Sequence, residues 1–530
     1  MRKYLKMLHD RGPESGHGIR YALLMGRPTY DNRRLTANMQ RASWPTLPCW
    51  VNRDRSSSLH DSYGFGTDDF IAMLADGSGT RMGTDDIDVA VGRICASSAS
   101  EASSIVDKME QYLHKTSLTP WKNVVVLLAD DGDGGIHAQQ ADSLATYLEA
   151  APGQQHIVTK IYTDTYRLVG GNYPQARSDM YRRLDEGAVW WAYIGHASNH
   201  GWTGEGMLTF TDINGLYLRN VPFIYAATVE VVVFLSALVP DVVFGVAVDV
   251  AGAHEASESP DGRRLDSFEG TATIELYDAE RTIVTNGNNG GNQQPYDTHG
   301  SKLLSVSAPV SGGRFDARLA LPADISDNFR PAMLNIYAAT TDGAQEAIGV
   351  SKDIYVFGLD ETAAPDTEAP SIDALAINHN GFRTGDIVST RSPMVLASVS
   401  DNIGINISSA GIGHQLVLTL DSATTYSDAA LYYRPHPDGT PGGTLNYPLP
   451  DLEEGLHTLR LRVWDTSGNA TESNIEFFAR ADVAPQIFDL YCDANPARTA
   501  ANFYITHDAP DAMATITVTV YNMLGNPVWT

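Results

Sequence analysis

The sequence predicts two architectures in series: a mostly parallel α/β domain, followed by all-β sandwich domains. Three observations carry that reading. Continuous apolar runs alternate with helical stripes up to Ala227. Helical periodicity then disappears after residue 262 and short alternating strands take over. Turn-forming clusters such as Asn286–Pro295 and Asp438–Gly443 separate those strands. A chain of 530 residues has room for about three or four domains.

The α/β elements follow from their patterns. Asn123–Ala129 (NVVVLLA) is apolar at every position after its first, which suits a strand buried on both faces. His156–Tyr162, Ala188–Ile194 and Pro222–Ala227 read the same way. Between them lie helices. In Glu101–Lys115 the residues Ile105, Val106, Met109, Tyr112 and Leu113 fall on one face, and Ser98 with Glu101 suggests a capping box. His137–Ala150 aligns Ala141, Leu144, Ala145 and Leu148; Ala176, Met180 and Leu184 form a third stripe. Alternating β and α with apolar strands implies a parallel sheet covered by helices. The β region is expected to hold strands at Ala272–Tyr277, Arg314–Leu321, Met333–Ala338, Leu416–Leu420 and Thr458–Trp464. The domains are expected at 1–262, 263–359, 372–482 and 483–530, the last truncated, with a Pro/Ala/acid linker at 360–371.

Composition excludes several functions. Lys+Arg is 37 against Asp+Glu 64, a formal charge of −27, which argues against a nucleic-acid partner. Three cysteines exclude a disulfide framework and a cysteine-based zinc site. Met1–Asp10 has no apolar signal-peptide core, and Ile516–Thr530 reads as an interrupted hairpin. A fragment lacking both ends is the expectation.

In an open parallel sheet, ligands bind beyond the carboxyl ends of the strands. Three loops should meet there: Asp130-Asp131-Gly132-Asp133, Gly195-His196-Ala197-Ser198, and Thr228-Val229-Glu230. His196 between small residues can exchange protons, and Gly195 lets a backbone N–H approach an oxyanion. Asp130 and Asp131 could orient His196 or bind calcium; a solvated turn is the alternative. Trp190 and Trp191 read as packing residues, and 286–295 as a hairpin tip. A metal hydrolase using Asp130, Asp131, Asp133, His137, His196 and His200 has the right residue types but no tight ligand spacing.

Several stretches resemble the gingipain-like cysteine peptidases, and within them the sortases of bacterial type IX secretion. They are Tyr21–Tyr30 (YALLMGRPTY), Asp88–Ile94, Trp121–Asp133 (WKNVVVLLADDGD), Tyr193–His196 (YIGH), Trp202–Leu208 (WTGEGML) and Pro222–Thr228 (PFIYAAT). Asp401–His414, Gly455–Asp465, Tyr491–Pro496 and Val520–Trp529 extend the resemblance through the β region. It implies a caspase/gingipain-like α/β domain followed by immunoglobulin-like sandwiches, with a Cys-His pair and no obligatory cofactor. His196 would be the histidine, with Ala197 where the family has glycine. The cysteine would fall at Val229. Valine has no ionisable atom, so catalysis by this chain is expected to be impaired. Cys49, Cys95 and Cys492 are expected to be ordinary thiols. Val229–Gly252 is valine-rich and unlike the family; a frame error, an assembly error or a deletion is expected across 229–262, with a pair of buried strands as the alternative. The resemblance further implies cleavage of C-terminal secretion signals and transfer of cargo to anionic lipopolysaccharide. It implies an outer-membrane β-barrel partner, an exported, surface location, and Glu205 near the cleft. A non-catalytic docking relative is the alternative.

Overall fold

The computed structural model describes residues 1–15, 18–29, 31, 33–41, 46–48, 50–52, 65–79, 85–114, 119–150, 156–198, 201–216, 218, 220, 222–227, 243–244, 265–322, 325, 328–356, 366–408, 413–480, 487–492, 503–507, 520–521 and 527–529. The chain divides into two compact units. The first comprises Met1–Phe268, Glu280–Thr298 and Asn335–Val350; the second holds Glu269–Ala279, His299–Leu334 and Ser351–Thr530.

A five-stranded parallel sheet organises the first unit. Its strands are β1 (Val124–Ala129), β2 (Ile157–Tyr162), β3 (Trp190–Ile194), β4 (Phe223–Ala227) and β5 (Val243–Phe244), in the order β5-β4-β3-β1-β2. Helices α1 (Ala99–His114), α2 (Ile136–Ala150) and α3 (Pro174–Glu186) alternate with these strands in the sequence. The apolar strand runs are buried on both faces. Val126, Leu128, Trp191 and Tyr193 pack with Ala176, Met180 and Leu184 of α3. Val125, Leu127 and Ala192 pack with Ala138, Ala141 and Ala145 of α2. Tyr21–Met25 and Ala90–Ile94 form a separate parallel pair.

Three details depart from the sequence pattern. Val106 is exposed while Lys108 is buried, so the face that α1 buries is rotated from the expected stripe. Trp190 is 46% exposed and meets Phe223 edge-on; only Trp191 is core. At the start of α1, Glu101 donates its backbone N–H to Ser98 Oγ as expected, yet its carboxylate reaches Ser97 N and Oγ. That is one residue short of a reciprocal box.

In the second unit, Gly270–Tyr277 pairs antiparallel with Lys302–Val310. The expected strand at Arg314–Leu321 is absent: only Arg314 makes an isolated bridge, to Ser311, at a turn. Further on, Ser371–Ile377, Met394–Ser400, Gly442–Pro448 and Tyr433–Pro435 form one sheet. Ile387–Val388, Ala470–Ala479, Gly455–Trp464, Val417–Leu420 and Thr424–Tyr426 form another. Both contribute to one apolar core that includes Val395, Leu445, Leu459, Leu461 and Phe477. Their alternating burial is the period-two signature of strands with one face inward. No helix among the described residues is long and apolar enough to cross a membrane.

Candidate functional site

The strand register levels three strand ends. Ala129 pairs with Ile194, and Ile194 with Ala227. Asp130 and Gly195 therefore leave the sheet side by side. They flank the place between β1 and β3 where the strand order reverses, the usual ligand crevice of such sheets. Residues 228–230, including Val229, lie outside the described residues.

Asp130 is the hub of this rim. It is 3% exposed and collects four donors. Its Oδ2 accepts the His196 backbone N–H at 2.6 Å and lies 3.2 Å from His196 Nδ1. Its Oδ1 accepts Gly132 N at 3.1 Å and bonds His137 Nδ1. Such a buried carboxylate persists because every lone-pair direction is used. With Nδ1–H turned toward Asp130, His196 presents Nε2 outward, and 44% of its side chain is exposed. Nε2 lies 3.5 Å from Asp133 Oδ2.

The His196 loop is held on every side. Its carbonyl accepts Thr203 N at 2.9 Å and the Tyr193 hydroxyl. Tyr193 stacks on Trp202, with ring centroids 4.5 Å apart. Two glycines are required by close approach. A Cβ on Gly132 would sit 2.5 Å from His196 Nδ1, and one on Gly195 would sit 2.6 Å from Asp130 Cγ. Asp133 takes a left-handed conformation (φ 51°), so the loop aims its carboxylate between the two imidazoles.

Asp131, also 3% exposed, has different partners. Its Oδ2 accepts the Tyr173 hydroxyl at 2.6 Å and Asn289 Nδ2 at 2.8 Å. Asn289 belongs to the 286–295 connection, which is a hairpin tip as expected, between Arg281–Val284 and Pro295–Thr298. It is also more than a tip. Gly287 N and Asn288 N donate to Asp164, and Asn288 Nδ2 donates to Tyr173. Composition marked the loop as Gly/Asn-rich; nothing local could show that it meets an acid 158 residues away.

Glu205 is half-buried, and its carboxyl is pushed above the usual range by desolvation, with Asp131 and Asp130 adding to the rise. Gly132 is a site residue whose importance the sequence pattern underrates. His137, expected only as a candidate metal ligand, bonds Asp130 from the start of α2. Cys95 is a free, half-buried thiol; Cys49 and His200 lie outside the described residues.

Asp130, His137 and His196 each offer one donor atom within 4.8 Å of the others, so they could hold a metal. The ring nitrogens facing Asp130 are already engaged with it, which suits an acid that fixes imidazoles as well as it suits a ligand set. Chemically, the arrangement can take a proton at His196 Nε2 and stabilise the resulting imidazolium through Asp130.

Residues 1–235 match the model of peptidase family C25. Among solved structures, the chain is similar to dimeric latent PorU from Porphyromonas gingivalis, at 18% identity over 99% of this chain and 54% of that one, with a TM-score of 0.29. It thus spans about half the length of that relative. It is also similar to the Arg-specific cysteine proteinase gingipain R, at 12% identity over 90% of this chain and 87% of that one, with a TM-score of 0.31. No curated protein matches. The assignment of this region rests on the family match.

Proposed function

We propose that the Asp130–His196 rim is the acid–imidazole half of a cysteine-peptidase site, residues 1–235 belonging to peptidase family C25. The family match is the observation that carries this reading. In it, His196 Nε2 takes the proton of a thiol, the thiolate attacks a peptide carbonyl, and the imidazolium returns its proton to the leaving amine. Backbone N–H groups near Gly195 and residue 229 hold the oxyanion. Asp130 fixes the tautomer of His196.

The finer reading is a sortase of type IX secretion. Its substrates would be proteins with C-terminal secretion signals, its acceptor amine an anionic lipopolysaccharide, and its site the outer-membrane surface beside a β-barrel partner. The ordered motifs from Tyr21–Tyr30 to Val520–Trp529 support it. On the same ground, the β region is read as immunoglobulin-like sandwiches.

Val229 favours a second reading for this chain as written: a non-catalytic relative that binds or docks. The position expected to carry the nucleophile has no sulfur.

One experiment tests both. The chain as written, Val229→Cys and Val229→Cys/His196→Ala are treated with a peptidyl thiol-reactive probe. The chain as written should stay unlabelled. Val229→Cys should label, and loss of His196 should abolish it. A Val229→Cys chain that folds yet labels no faster than Cys95 would overturn the peptidase site. His196-dependent labelling of the unaltered chain would overturn the docking reading. Genomic sequence across codons 225–265 shows whether the valine run is encoded.

A further inference from the structure

A second cluster of charge belongs to the other unit. Asp366 precedes the strand Ser371–Ile377. Asp401 follows Met394–Ser400, and Asp465 follows Gly455–Trp464. Antiparallel pairing of Ser371 with Ser400 brings the first two to one end of their sheet. The bridge from Ile405 to Asp465 adds the third. One oxygen from each carboxylate lies within 4.8 Å of the other two.

Each acid is anchored by donors from its own loop or a neighbouring one. Asp366 Oδ1 accepts Glu368 N at 3.2 Å and Asn402 Nδ2 at 3.1 Å. Asp401 Oδ2 accepts Ile403 N and Gly404 N, both at 2.8 Å. Asp465 Oδ1 accepts Ser467 N at 2.9 Å and Asn469 N at 2.7 Å, and its Oδ2 accepts Asn469 Nδ2 at 2.7 Å.

The remaining oxygens are the independent observation. Asp366 Oδ2 and Asp401 Oδ1 are fully buried and have no hydrogen-bond partner, and Asp465 is 0% exposed. A buried acceptor without a donor is costly, and more so when it is charged. Among the described residues no lysine or arginine pairs with any of the three; apart from the contact between the Asp366 and Asp465 carboxyls, their donors are neutral N–H groups. Three carboxylates converge here, and two of them leave a buried oxygen without a donor.

We propose that Asp366, Asp401 and Asp465 form a calcium site that ties the segment entering this two-sheet body to two of its strand ends. The donors are all oxygen, which selects a hard cation over zinc or copper. Ligand number selects within that class. Three carboxylates converging from the protein suit Ca²⁺, which takes six to eight oxygens in flexible geometry, better than Mg²⁺, which keeps several of its waters and is held through one or two carboxylates. Water and carbonyl oxygens complete the shell. The proposal stands independently of the peptidase reading.

The test uses the full chain, freed of metal with EDTA and exchanged into chelator-free buffer. Calorimetric titration with CaCl₂ alone should give one site per chain, and calcium should raise the melting temperature. Asp401→Asn and Asp366→Asn should each weaken binding by about 10-fold or more, because a neutral amide replaces a charged ligand and calcium affinity follows the ligand charge count. Asp373→Asn, an exposed acid on Ser371–Ile377, should bind as the parent does. Melting in EDTA verifies folding, so either aspartate variant suffices if the other is unstable. No calcium-dependent heat at millimolar CaCl₂, an equal response to MgCl₂, or full binding by a folded Asp401→Asn or Asp366→Asn chain would each overturn the proposal.

Discussion

Replacing Asp130 with asparagine keeps the volume of the side chain and removes one acceptor oxygen. In the parent, the two oxygens serve four N–H groups: His196 N, His196 Nδ1, Gly132 N and His137 Nδ1. The amide has one carbonyl. If it stays on the short bond to His196 N, the NH₂ faces Gly132 N and His137 Nδ1, donor against donor. His137 can relieve its clash by switching tautomer; Gly132 cannot. Each buried group left unpaired costs about 1–3 kcal/mol, so with Gly132 N left unpaired the loop should lose about 1–3 kcal/mol. Peptide-level hydrogen exchange reads this directly. At about 1.4 kcal/mol per decade, amides in 130–137 and 195–203 should exchange about 5–140-fold faster, while the 371–479 region is unchanged. In a Val229→Cys background, probe labelling should also fall by up to about 10⁴-fold, the scale of a misoriented imidazole. Unchanged exchange in both loops of a folded Asp130→Asn chain would refute the hub assigned to this carboxylate.

Two further outcomes follow from the same geometry. Gly132→Ala puts a methyl 2.5 Å from His196 Nδ1, so it should destabilise the loop by about 1–3 kcal/mol and shift the His196 ring resonances, whereas Gly77→Ala, with nothing within 4 Å but a strained φ, should leave those resonances alone. Glu205 is protonated more readily folded than unfolded, because of desolvation and then Asp131 and Asp130. Its protonated form favours the fold below its ordinary carboxyl range, and that advantage is lost as pH rises through the elevated value. Glu205→Gln should therefore melt higher than the parent at pH 7 and converge with it near pH 4; a constant difference across that range would refute the assignment.

The parallel strands were legible because burial on both faces demands continuous apolar runs, and Asn123–Ala129 has one. The rim was legible for the same reason: parallel strands carry all their carboxyl ends to one edge, which forces the loops after Ala129 and Ile194 together. Arg314–Leu321 failed as a strand because its short alternation had no ladder partner, and alternation alone does not supply one. Val106 and Lys108 show the limit of a helical stripe, since tertiary neighbours choose the buried arc.

By itself, then, the sequence determined which residue types leave the two inner strands at the rim: an acid after β1 and an imidazole after β3. Only the tertiary structure decided how they are used. It set Asp130 between two histidines, gave Asp131 to Tyr173 and a hairpin 158 residues away, and gathered three distant aspartates so that one oxygen of each lies within 4.8 Å of the others. The physical reason is range. Periodicity and turn chemistry act over a few residues, whereas a buried carboxylate must be satisfied by whatever donors the packed chain brings within about 3 Å of it.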